Sequence, residues 1–114
     1  LHRAEEIESW VREKLDSVGG DYDLKVRVTG ESFLTPPGPL SEVLSAAVQE
    51  VTGKVPELST SGGASDARFI KDYCPVAEFG MVGRTMHQTN ECIEVADFDA
   101  LSEIYLKTMD NFFA

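Results

Sequence analysis

His87 stands in a polar, loop-like stretch, GMVGRTMHQTN (residues 80–90), with Thr85, Gln88, Asn90 and Glu91 around it. A neutral imidazole in such surroundings can bind a metal ion, because hydroxyl, amide and carboxylate neighbours are the groups that fix its second ring nitrogen. One imidazole does not make a metal site. On spacing alone, the residues also describe an exposed or structurally bonded histidine, and His2 lies in a terminus expected to fray.

A second stretch with chemical content is STSGGASDARF, residues 59–69. Gly62 and Gly63 permit positive φ and close approach of the main chain, while Ser65 or Asp66 can cap a following helix. Amides at a helix start attract a carboxylate or phosphate, and Arg68 adds charge nearby. The same residues equally describe a tight turn before a capped helix. Asp66, Asp72, Glu78 and Glu91 read singly as caps, solvated charges or pair members. No nucleophile stands beside a base, so a serine or cysteine triad has little support. Cys74 in YCPVAEF and Cys92 in ECIEV form no CxxC pair and read as reduced, buried thiols.

These residues must be placed by regular elements. Ile7, Trp10, Val11, Leu15 and Val18 recur at helical spacing and stop at Gly19 and Gly20. Tyr22, Leu24, Val26 and Val28 then alternate with polar residues, which predicts a half-buried strand. TPPGPL (35–40) breaks both periods and reads as a stiff connector and a domain boundary. Beyond it Leu40, Val43, Leu44, Ala47, Val48 and Val51 form a helical stripe ended by Gly53. A short helix over 66–72, a doubly covered strand in CPVAEFG and a strand in ECIEV follow. Asp97 is the expected N-cap of a last helix that buries Leu101, Ile104, Tyr105, Met109 and Phe112. Strands separated by helices predict an α/β fold whose strands lack obvious partners within the chain.

Composition narrows the function classes. The 114 residues are 42% hydrophobic and 26% charged, as in a globular domain. Twenty acidic against ten basic residues give a net charge of -10, which repels nucleic acid and anionic membranes, and the basic residues are scattered. No apolar run has membrane-spanning length and no cationic segment precedes an apolar one, so the expectation is a soluble, cytoplasmic protein. The start at Leu1, without methionine and close to a helix, reads as a truncated or processed piece.

Taken in order, SFLTPPGPL, STSGGASDARFI, CPVAEFG, TMHQTNE and VADFDALSEIYLKTM resemble the C-terminal part of the succinyl-diaminopimelate desuccinylases, over nearly the whole chain. These belong to the superfamily of co-catalytic zinc peptidases and deacylases that also holds acetylornithine deacetylase. The resemblance implies a catalytic domain with two zinc ions, for which cobalt can substitute, and an inserted α+β lid domain that mediates homodimerisation. Residues 1–34 then match the last helix and strand of the lid, residues 35–114 match the C-terminal segment of the catalytic domain, and the connector lies near the hinge.

On the same resemblance His87 is a zinc ligand, and residues 61–65, with Gly62, Gly63, Ala64 and Ser65, lie along a small N-acyl amino-acid substrate. Gly83 and Arg84 fall in the loop before the histidine. Ala64 stands where threonine is common and Gly83 where asparagine is frequent, so two side-chain hydrogen bonds to substrate are lost, with Arg84 as a replacement donor. The other ligands and the glutamate general base lie upstream in the family. The chain by itself is therefore expected to be inactive, to hold no zinc stably and to self-associate through unpaired strands. An acetylornithine deacetylase-like substrate, or a non-catalytic association piece, are the competing readings.

Overall fold

Four helices organise the chain in a computed structural model that describes residues 2–61 and 65–114. They are α1 (Ala4–Val18), α2 (Pro39–Thr52), α3 (Ala67–Ile70) and α4 (Val95–Phe113). The sequence accounts for their limits. In α1, the Arg3 amide donates to Glu6 Oε2 at 3.0 Å, satisfying a donor ahead of the first turn. Pro39 opens α2, where its missing N–H costs nothing, and Gly53 closes it at φ 72°, a left-handed cap that glycine adopts freely.

The packed centre is the contact between α2 and α4. Ala47, Val48 and Ile104 are buried there, with Ala47 fully covered, and Leu44, Val51 and Phe79 close around them. The small Ala47 on α2 leaves room for Ile104 of the facing helix in this cluster. Lys107 Nζ donates to Glu50 Oε1 along the same seam, and the Tyr105 hydroxyl donates to the Phe79 carbonyl oxygen, pinning an extended segment to α4.

Residues 21–34 carry no regular secondary structure and run back along α1. The Tyr22 hydroxyl donates to Asp16 Oδ1 at 2.8 Å near the end of the helix. At its start, the Ala4 amide donates to Glu31 Oε2 at 3.3 Å and Ser32 Oγ to the His2 carbonyl at 2.7 Å. Helix and returning segment thus lie antiparallel, held by polar contacts at both ends.

Several expectations from sequence do not hold. Among the described residues there is no strand: residues 22–28, CPVAEFG and the first four residues of ECIEV form no ladder, while Val95 already opens α4, so no α/β arrangement is formed among the described residues. A strand is defined by its neighbour, and none of these segments meets another's backbone edge. The stripe on α1 buries nothing, leaving Trp10 58% and Val18 85% exposed. Of the α4 stripe only Ile104 is buried; Leu101 is half-buried, and Tyr105, Met109 and Phe112 are exposed. Cys74 and Cys92 are exposed, not buried, because the segments carrying them lack a covering layer. Glu94, not Asp97, occupies the N-cap of α4, and Asp97 sits in its first turn.

The same shortage of covering surface shows in the dimensions. The radius of gyration is 19.1 Å, against about 13 Å for a compact domain of this length. The accessible surface is 9388 Å², where a folded monomer of this mass exposes about 6,200 Å².

Candidate functional site: the His87 loop

The loop that carries His87 is closed by one hydroxyl. Thr85 Oγ1 donates to the Cys92 carbonyl oxygen at 2.8 Å and accepts the Cys92 amide at 2.9 Å, joining the two ends of residues 85–92. Inside this closure the Gln88 amide donates to the Thr85 carbonyl at 3.0 Å, and the Met86 amide reaches back across it to that of Gly83 at 3.2 Å. Gln88 Nε2 donates to the Arg84 carbonyl at 3.3 Å.

Two residues in the loop are left-handed, His87 and Asn90, each at φ 62°. Asparagine and histidine enter this region more readily than most residues, but a side chain there still costs about 1–2 kcal/mol. Such a corner persists only when its surroundings hold it, and the Thr85 closure does so. The turn leaves the His87 side chain exposed. Thr85 and Gln88, candidates on sequence for fixing the imidazole, instead bond to backbone within the loop. That double use of Thr85 had no signal in residue spacing.

Arg84 reaches away from the loop. Its Nη2 lies 3.0 Å from Asp97 Oδ2, tying the loop to the first turn of α4. Gly83 has room for a side chain limited by Met86, whose Cε would stand 3.2 Å from an added Cβ. That neighbour is the free end of a flexible chain and can move.

Of the glycine stretch, Gly62, Gly63 and Ala64 lie outside the described residues. Asp66 occupies the N-cap position of α3 without a side-chain cap bond, while half-buried Ser65 accepts the Ala67 amide on its Oγ at 3.0 Å. Arg68 lays its guanidinium over the Phe69 ring, 4.7 Å from the centroid, and its Cδ would stand 3.1 Å from a Cβ at Gly30. Nε of Arg68 is buried with no hydrogen-bond partner among the described residues.

The donor set defines what the described residues could hold. His87 offers an exposed imidazole at a fixed corner, which suits a single ligand. Among the described residues no three histidine, cysteine, aspartate or glutamate side chains come together as a metal site. His87 therefore fits a metal only as one member of a set completed by other residues.

With this geometry in place, comparison with known proteins defines the class. The model of peptidase family M20/M25/M40 matches residues 4–111, and the chain belongs to that family. Curated relatives include the succinyl-diaminopimelate desuccinylase of Rhodospirillum centenum, 52% identical over the whole chain, and that of Rhodospirillum rubrum, 53% identical over 98% of it. The desuccinylase of Ruegeria pomeroyi is 50% identical over the whole chain. The chain spans only 30 to 31% of the length of these relatives. No helix among the described residues is long and apolar enough to cross a membrane.

Proposed function

We propose that the chain is the C-terminal portion of a zinc-dependent amide hydrolase that cleaves N-succinyl-LL-diaminopimelate to succinate and LL-diaminopimelate, a step toward lysine and cell-wall precursors. Identity near 50% to desuccinylases along the full chain carries this reading. Residues 1–34 close the lid and dimerisation domain of a homodimeric parent, and residues 35–114 return to its catalytic domain. The antiparallel pairing of α1 with residues 21–34, separate from the α2 and α4 contact, supports a division near the prolines.

In the parent, His87 presents its ring nitrogen to one of two zinc ions, or to cobalt in their place. When bound, these ions polarise the scissile carbonyl and lower the pKa of water. The chain's own residues do the rest of their work by position. His87 sits exposed at a corner with φ 62°, in a loop that the Thr85 bonds to Cys92 close. Amides of Gly62, Gly63 and Ala64, with Ser65, hold a substrate carboxylate, for which main-chain donors need little side-chain charge. Gly83 and Arg84, in the loop before the histidine, belong to the same substrate site on the family resemblance. The general base and the remaining ligands belong to the part of the parent outside these residues, so the chain alone does not turn over substrate.

A two-substrate assay on the full-length parent tests the assignment. Zinc-dependent release of succinate from N-succinyl-LL-diaminopimelate, with N-acetylornithine a poor substrate, is the expected result. Turnover of the acetyl compound alone moves the substrate and makes Ala64 and Gly83 responsible, since each lacks a side-chain donor.

A further inference from the structure

We infer that Thr85 is a positioning residue for the metal-binding imidazole, an inference that rests on the reading of His87 as a ligand. A loop histidine binds well only if its ring is held before the ion arrives; otherwise ordering the loop subtracts from affinity. Here the holding group is a single hydroxyl two residues before the histidine. It accepts the Cys92 amide at 2.9 Å and donates to the Cys92 carbonyl at 2.8 Å, using both its acceptor and its donor.

The ring formed by this pair encloses both left-handed residues, His87 and Asn90. Without the hydroxyl, the Cys92 amide and carbonyl lose their partner, and the two left-handed residues are free to relax toward common backbone regions. The Met86 and Gln88 amide bonds are local turns and do not join the ends of the loop. Arg84 and Asp97 anchor the loop as a whole to α4 but do not bridge its two ends. Thr85 is thus the one side chain among the described residues seen to close this ring. Serine retains the function; valine, of the same shape, removes it.

The test uses the full-length parent with Thr85→Val, Thr85→Ser and His87→Ala. Zinc affinity is measured by competition with a chromogenic chelator, and exchange of the Cys92 amide by hydrogen–deuterium exchange in the metal-free protein. Thr85→Val is expected to weaken one of the two zinc affinities about ten- to a hundredfold and to lose Cys92 protection, while Thr85→Ser keeps both. Wild-type zinc affinity in Thr85→Val together with lost Cys92 protection overturns the inference, as does a serine variant no better than valine. His87→Ala separates the two levels: if it retains both zinc ions, the ligand reading itself fails. Should the valine variant not fold, Thr85→Ala against Thr85→Ser provides the same contrast.

Discussion

Arg84 Nη2 and Asp97 Oδ2 stand 3.0 Å apart and join the His87 loop to the first turn of α4. A carboxylate there also faces the positive end of the helix dipole, so Asp97 is favourably placed with or without its partner. The pair is largely exposed, with side-chain accessibilities of 62% and 32%. Its coupling is expected at about 0.2–1 kcal/mol. A double-mutant cycle in the parent, read by urea unfolding, should find Arg84→Ala and Asp97→Ala less than additive. A large rise in KM for Arg84→Ala with no change for Asp97→Ala would instead make Arg84 a substrate contact.

Ile104 is the side chain on which the α2 and α4 contact depends, being 2% exposed against the fully covered Ala47. Ile104→Ala is expected to lower the stability of the parent by about 2–5 kcal/mol. Ala47→Leu, which forces bulk into the crossing, should cost about 1–3 kcal/mol. Denaturant midpoints at unchanged m-value check both.

Lys107 gives the seam a dependence on pH. Hydrogen bonding to Glu50 raises its pKa above the ordinary 10.5; removal from water opposes this, and the charges of Glu50, Glu103 and Asp110 add to the rise. The folded state therefore favours the protonated amine. That contribution is complete below 10.5 and fades as pH climbs through the higher folded value. Unfolding series from neutral to strongly alkaline pH should show this loss in the parent and a smaller one in Lys107→Met.

The uncovered apolar faces predict the behaviour of the 114 residues in isolation. Ile7 and Trp10 on α1, and Tyr105, Leu106, Met109 and Phe112 on α4, expose more apolar surface than a stable monomer tolerates. Unladdered extended segments add free backbone edges. Light scattering should report mass that rises with concentration. A monomer at high concentration would contradict this.

The helices were legible in sequence because their signals are local. The stripe from Leu40 to Val51 with Gly53 as its stop gave α2 to within a residue or two, and the run from Leu101 to Phe112 gave α4. Segment 22–28 read as a half-buried strand and forms none, because a ladder requires a neighbour that residue alternation cannot supply. Burial failed for the same reason: periodicity identifies the apolar face of α1, yet nothing within the chain covers Trp10. His87 was visible as a polar-loop histidine, whereas its left-handed backbone and the Thr85 closure depend on contacts seven residues apart. Asp97 misled as a cap because an acidic residue favours the whole first turn, and Glu94 lies at the boundary.

The most direct test of the central claim is the metal dependence of the full-length parent carrying His87→Ala. Wild type, stripped of metal and then titrated with zinc, is expected to recover hydrolysis of N-succinyl-LL-diaminopimelate as two ions bind. The variant should bind one ion tightly and lose at least a hundredfold in kcat/KM, about 3 kcal/mol of transition-state stabilisation. A His87→Ala enzyme that binds two zinc ions and hydrolyses the succinyl substrate at the wild-type rate would contradict the account.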